Sequence, residues 1–167
     1  MRYPLFLDLT GQPVLVVGAG RVGTRKIRSL LSAGAEVRVV SPRATGAVRS
    51  WAKARKLRWL RRVYRQGDLR GVWLVVAATD SEGVNRRVSA EAKRRRRPVN
   101  CIAPPAAGNF IVPAVVRRDG ISLAISTNGA SPALVRKLRQ DLERFLARGY
   151  VAQLKRMAGP RQRRKRS

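Results

Sequence analysis

Gly18-Ala19-Gly20-Arg21-Val22-Gly23 fits G-x-G-x-x-G, in which positions without side chains let a backbone turn wrap an anionic diphosphate. Gly18 permits a tight turn, Gly20 lets the backbone approach a pyrophosphate, and Gly23 lets the next helix pack closely on the preceding strand. The helix N-terminus that follows offers amide donors to the same phosphates. The chemistry this would serve is redox transfer with a bound dinucleotide. At Ser41-Pro42-Arg43, where such chains usually carry an acidic residue for the ribose hydroxyls, no carboxylate stands. Arg43 either receives a 2′-phosphate, which favours NADP, or is one more solvated arginine. Ala77-Ala78-Thr79-Asp80 offers small side chains beside a cofactor, and Thr79 and Asp80 are equally readable as a helix cap.

These residues are useful only if regular elements hold them at one edge. Pro13–Val17 is a β-branched run bounded by turn residues, which predicts a buried strand, and residues 21–33 have apolar side chains at helical spacing. Glu36–Val40 predicts a second strand ending at Ser41-Pro42, where proline stops it. Residues 44–56 predict a helix, 57–63 an exposed or edge strand, 72–78 a continuous apolar strand, 82–96 a helix and 98–102 a strand. The alternation predicts an α/β fold, a Rossmann-like doubly wound parallel sheet over residues 1–103.

After residue 103 the pattern changes, and the boundary is expected near 103–108. Two strand-like runs, 109–116 and 121–126, flank the turn residues Arg118-Asp119-Gly120, and Ser131-Pro132 opens a helix to about Arg148. This small hairpin-plus-helix unit, residues 104–150, cannot hold a large core alone. It is therefore expected to bury its face on the first domain or on a second copy, which makes a homodimer the economical solution. Residues 151–167 form a basic tail expected to be disordered.

The chain has 167 residues, with 37 lysines and arginines against 9 acidic residues, a net charge of +28. Such a field admits polyanions of several kinds, and arginine filling solvated helix faces explains it equally well. No aromatic-rich recognition motif or zinc module supports a nucleic-acid partner. No apolar run spans a bilayer and the N-terminus lacks a secretory leader, so no membrane partner and a cytoplasmic location are expected. The single cysteine, Cys101, forms no internal disulfide, and with no histidine a nitrogen-ligated metal has almost nothing to bind, so no metal ligand is assigned.

The chain resembles the precorrin-2 dehydrogenase and sirohydrochlorin ferrochelatase family, including the N-terminal half of siroheme synthase. The resemblance covers residues 3–147. It rests on Tyr3-Pro4-Leu5-Phe6-Leu7-Asp8-Leu9, on Val16-Val17-Gly18-Ala19-Gly20 with Arg25-Lys26, and on Ala77-Ala78-Thr79-Asp80 with Asn85. It continues through Val99-Asn100, Phe110-Ile111-Val112-Pro113-Ala114 and Ile125-Ser126-Thr127-Asn128-Gly129-Ala130-Ser131-Pro132. The resemblance implies NAD as oxidant in place of NADP, cofactor contacts near Arg21-Val22 and Pro42-Arg43, and a homodimer made by the segment after the Rossmann unit. It implies oxidation of precorrin-2, a polycarboxylate tetrapyrrole, to sirohydrochlorin on the route to siroheme. Part of the positive charge would then attract substrate.

In some relatives a second activity inserts ferrous iron into the product. The resemblance would place a catalytic aspartate where this chain has Ala103, and an alanine can take no proton. Chelation is thus the doubtful activity, and Asp80 is the candidate substitute base. Ser126 and Thr127 match a hydroxyl-bearing loop near the family's active site, although such hydroxyls commonly bond their own backbone. The alternative is a catalytically weakened NAD- or tetrapyrrole-binding protein.

Overall fold

The computed structural model describes residues 2–147 and Arg156. The end of the last expected helix, at Arg148, and the rest of the 151–167 tail lie outside the described residues. Pro13–Ala19 forms β1, a strand buried on both faces: Val14 and Val16 feed one core, Leu15 and Val17 the other. Helix α1 (Arg21–Ser32) leads to β2 (Glu36–Ala44), then α2 (Gly46–Lys53) leads to β3 (Arg58–Leu60). Strand β4 (Leu74–Ala77), helix α3 (Glu82–Arg94) and β5 (Val99–Cys101) complete a parallel sheet in the order β3-β2-β1-β4-β5. The winding reverses between β1 and β4, so a crevice opens at their carboxyl ends. The expected doubly wound α/β sheet is what forms, with β3 at its edge and shorter than 57–63.

Strand β2 does not stop at Pro42. Its pairing with β1 runs from Pro13↔Glu36 to Val17↔Val40, slips, and resumes at Ala19↔Ala44. Inside the slip the ladder is replaced by a side chain, because Ala19 N donates to Ser41 Oγ at 3.3 Å and Ser41 Oγ donates to Arg43 O at 2.6 Å. Proline is tolerated there as at other bulges.

The expected strand from Asn109 also begins later. Asn109 instead closes the outer edge of β5: its N–H donates to Val99 O at 2.9 Å and its Oδ1 accepts from Val99 N at 2.7 Å. Phe110 packs on the core of the α1 face, and Asn100 Nδ2 donates to Phe110 O at 3.1 Å. These bonds continue the compact unit Tyr3–Ile111, and the other unit takes in the chain from Val112.

The second unit contains β6 (Ala114–Arg118) and β7 (Ile121–Ile125), an antiparallel hairpin, then α4 (Pro132–Phe145). Arg118 pairs with Ile121, leaving Asp119 and Gly120 as a two-residue turn with φ of 49° and 85°. Ser131 caps α4 by accepting from Leu134 N, with Pro132 at the first helical position, as the sequence predicts. Val116 and Leu146 form its small core. Among the described residues no helix is long and apolar enough to cross a membrane.

Within the first unit one buried carboxylate anchors the connection from β3 to β4. Glu91 accepts from Tyr64 Oη, from Gly67 N at 3.2 Å and from Arg95 Nε at 3.0 Å. Burial alone would raise its pKa, but these donors together hold it below the ordinary glutamate value. A depressed folded pKa gives stability that is present above the unfolded value of about 4.3 and is lost as pH falls through the folded one. Glu91→Gln should cost about 1–3 kcal/mol at neutral pH, since Gln cannot satisfy all three donors. Denaturant titrations of both proteins should also show a smaller loss below about pH 4.3 in the variant than in the native chain; equal acid losses would mean that Glu91 does not set the acid limb.

Candidate cofactor-binding site

The glycine turn sits where β1 meets α1, and its three glycines do different work. Gly18 has φ 102°, and a Cβ there would lie 2.2 Å from Ala78 O and 2.8 Å from Thr79 N. A Cβ on Gly23 would lie 2.2 Å from Gly18 O. Both positions are thus filled by backbone, locking the end of β1, the segment after β4 and the first turn of α1 together. Gly20 differs: a Cβ there meets nothing within 4 Å. It faces open space, the room a pyrophosphate needs.

The first helical bond of α1 is Thr24 N to Gly20 O, at 2.8 Å. The amides of Arg21, Val22 and Gly23 precede it and have no acceptor within the helix. No acidic side chain occupies that first turn, and Arg21 is exposed. Dipole, amides and guanidinium therefore all favour an anion. Thr24 Oγ1 lies 2.8 Å from both Gly20 O and Thr45 Oγ1, tying α1 to the start of α2. Lys26, one turn on, is half-buried, and burial lowers its pKa from the ordinary lysine value.

Beside the glycine turn lies the slipped end of β2. Ser41 is buried and its hydroxyl is consumed by Ala19 N and Arg43 O, so it serves the backbone. Pro42 and Arg43 are exposed. Arg43 has no carboxylate partner among the described residues, leaving its guanidinium free for a ligand.

On the other side of β1, Asn85 holds the edge together. It is fully buried on α3, beside Val88 and Ser89 on the helix's inner face. Its Nδ2 donates to Thr79 O and to Ala103 O, each at 3.0 Å, and its Oδ1 accepts from Thr79 N at 3.0 Å. One amide thus fixes the segments after β4 and after β5. Thr79 Oγ1 lies 2.8 Å from Asn85 Oδ1 and 3.0 Å from Ser81 O. Neither Thr79 nor Asp80 caps α3: Ser81 does, accepting from Val84 N at 3.4 Å. Asp80 is exposed, with no partner among the described residues. Ala103 is exposed as well, so a carboxylate there would meet open space.

Gly18, Gly20, Arg21, Val22, Gly23, Ser41, Pro42, Arg43, Thr79, Asp80 and Ala103 all lie at the carboxyl ends of strands in one unit. Ser126 and Thr127 belong to the other unit. There Ser126 Oγ accepts from Asn128 N at 3.0 Å and Thr127 Oγ1 accepts from Ser131 N at 3.2 Å, the local bonding such hydroxyls commonly make. The sequence reading assigned no role to Asn85 as a clip or to Ser41 as a substitute ladder partner. An amide at i, with apolar or small residues at i+3, i+4 and i+7, was the available signal for the first.

Residues 5–114 match a family model described as putative NAD(P)-binding, and residues 118–144 match that of the sirohaem biosynthesis protein central region. Siroheme synthase of Neisseria meningitidis serogroup C (strain 053442) is 40% identical over 144 residues, 86% of this chain and 30% of that protein. Siroheme synthase of Ectopseudomonas mendocina (strain ymp) is 43% identical over 147 residues, 88% of this chain and 31% of that one. The solved structure of SirC, a precorrin-2 dehydrogenase, matches with a TM-score of 0.80 at 37% identity, covering 89% of this chain and 73% of that one. The chain belongs to the precorrin-2 dehydrogenase and siroheme synthase family. It spans less than a third of the length of the two siroheme synthases. As a member of that family it carries an NAD(P)-binding Rossmann unit whose glycine turn, helix amides and open Gly20 fit a dinucleotide.

The three glycines should separate by experiment. Gly18→Ala and Gly23→Ala each force a Cβ into backbone and should destabilise by about 3 kcal/mol or more, or prevent folding. Gly20→Val should fold with a thermal midpoint close to that of the native chain, yet bind NAD at least tenfold more weakly, about 1.4 kcal/mol, in calorimetric titration. Unchanged NAD affinity in folded Gly20→Val would remove the turn from the cofactor site.

Proposed function

We propose that this chain is an NAD-dependent precorrin-2 dehydrogenase, oxidising precorrin-2 to sirohydrochlorin for siroheme in the cytoplasm. The observation that carries this is the glycine cradle, with its open Gly20 and unclaimed helix amides, in a chain that resembles SirC over most of both lengths. Bound NAD supplies the hydride acceptor. The chain's own work is positional: the first-turn amides of α1 hold the diphosphate, and Arg43 faces the ribose end. The small Ala77 and Ala78 leave the crevice clear beside β1. Exposed Arg21, Arg25 and Arg43 give this edge a positive field that would draw and orient a polycarboxylate.

Loss of hydride from the macrocycle is accompanied by loss of a proton. Asp80, exposed and unpaired at the end of β4, is the carboxylate we assign to receive it. Asn85 acts as a positioning residue, since it fixes the backbone on which Thr79, Asp80 and Ala103 stand. With Ala103 where the family resemblance would place a catalytic aspartate, ferrochelatase activity is not assigned. Ala103 also favours a second reading, a weakened NAD- or tetrapyrrole-binding protein. The chain should turn over precorrin-2 slowly with NAD under anaerobic conditions and leave iron insertion at its spontaneous rate. Ala103→Asp should raise NADH formation, followed at 340 nm, by at least tenfold, within the hundredfold to ten-thousandfold range of positioned general bases. Efficient iron insertion by the native chain, with neither rate changed by Ala103→Asp, would show that the chemistry uses other residues. No turnover by either protein, with NAD still bound, would favour the second reading.

We also propose a homodimer through the unit that begins at Val112. Leu134 and Leu138 are exposed at 49% and 38%, one turn apart along α4, an apolar face suited to a second copy. Light scattering should give the dimer mass for the native chain and the monomer mass for Leu138→Glu. A native monomer at all concentrations would refute the dimer.

A further inference from the structure

A groove of about 660 Å³ lies at the opposite end of the strands from the glycine turn, where β1, β2 and β3 begin. Its apolar part is Pro13, Ala52 and Leu57. Its charged part is Arg38, Arg55, Lys56 and Arg58, with Glu36 the one carboxylate in the lining.

The cations are poorly compensated. Arg55, Lys56 and Arg58 have no carboxylate partner among the described residues. Arg38 donates to Arg70 O at 3.1 Å and lies in the field of Asp68, whose oxygens are already held by Arg62. Arg38 and Arg58 also stand directly opposite each other in the β2–β3 ladder, a like-charge pairing that is unfavourable without a counter-ion. Arg55 has φ 54°, the left-handed region, just past the end of α2 where glycine is the favoured residue.

We propose that this groove binds a nucleoside diphosphate, separately from the dinucleotide cradle. Its volume lies within the roughly 300–1,000 Å³ usual for small-molecule sites. The apolar floor suits a base and sugar, and the three uncompensated cations match the charge of a diphosphate, which arginine binds through paired N–H donors. The inference does not rest on the precorrin-2 activity, and its test needs no tetrapyrrole.

The experiment is calorimetric titration of ADP into the full chain at physiological salt with NAD saturating, so that the Rossmann cradle is filled and exposed charges are screened over about 8 Å. One ADP site is expected. The double variant Arg55→Glu with Arg58→Glu, both at exposed positions, should weaken it at least tenfold while leaving NAD affinity within twofold. Loss of ADP binding when NAD saturates would place ADP in the cradle and overturn the proposal. So would unchanged ADP affinity in the double variant, or inorganic pyrophosphate binding as tightly as ADP, since either would leave the groove's cations or its apolar floor without a role.

Discussion

The contact on which the site depends is the backbone approach between Gly18 and the Ala78–Thr79 peptide. β1 and β4 are neighbours whose following segments diverge, and the crevice between them is what a dinucleotide enters. If Gly18 carried a side chain, the segment after β4 would have to move outward. The end of β1 would then lose its anchor, and α1, which rests on Gly18 O through Gly23, would shift with it. The aim of the helix amides is therefore set by two missing side chains and not by any residue that touches a ligand. Close packing of this kind deforms in steps, because neighbours cannot absorb a methyl group gradually.

Around that contact, polar side chains do the work of absent ladder bonds. Ser41 bridges the slip between β1 and β2, Asn85 joins the ends of β4 and β5, and Asn109 covers the free edge of β5. Each is a short side chain satisfying backbone groups that irregular segments would otherwise bury unpaired. This lets loops at the carboxyl edge be irregular yet fixed. Exceptions remain in Ser89 Oγ and Arg97 Nε, buried without a partner among the described residues.

How much of this was legible in the sequence follows from which interactions are local. Hydrophobic period and glycine spacing are local signals, and they placed β1, α1, β4 and α3, the parallel sheet and the cradle. The Asp119-Gly120 turn and the Ser131 cap were equally local. What failed were endings decided by partners distant in sequence. Pro42 stops a strand only if its N–H is needed, and the slip against Ala19 removes that need. Asn109 looks like the start of a strand until Val99 claims it. Thr79 could have capped α3, but Asn85 engages it and Ser81 takes the cap. The roles of Ser41 and Asn85 depend on bonds to Ala19 and Ala103, which no window of sequence brings together.

The scarcity of acid gives the remaining carboxylates meaning. Asp68 and Glu91 are committed to the connection between β3 and β4, where Arg62 holds Asp68, and Tyr64, the Gly67 amide and Arg95 hold Glu91, below their ordinary pKa values. Glu82, Asp141 and Glu143 pair with arginine or lysine along their own helices, and Asp119 pairs with Arg118 at the hairpin turn. Such exposed pairs contribute little to stability. In a chain of charge +28, however, they draw those carboxylates away from ligand sites. Among the described residues Glu36 and Asp80 have no ion-pair partner, and they stand at opposite ends of the sheet, one in the basic groove and one at the carboxyl edge. With alanine at position 103, Asp80 is the exposed carboxylate at the end of β4, and the same shortage leaves Arg43 without a carboxylate partner among the described residues.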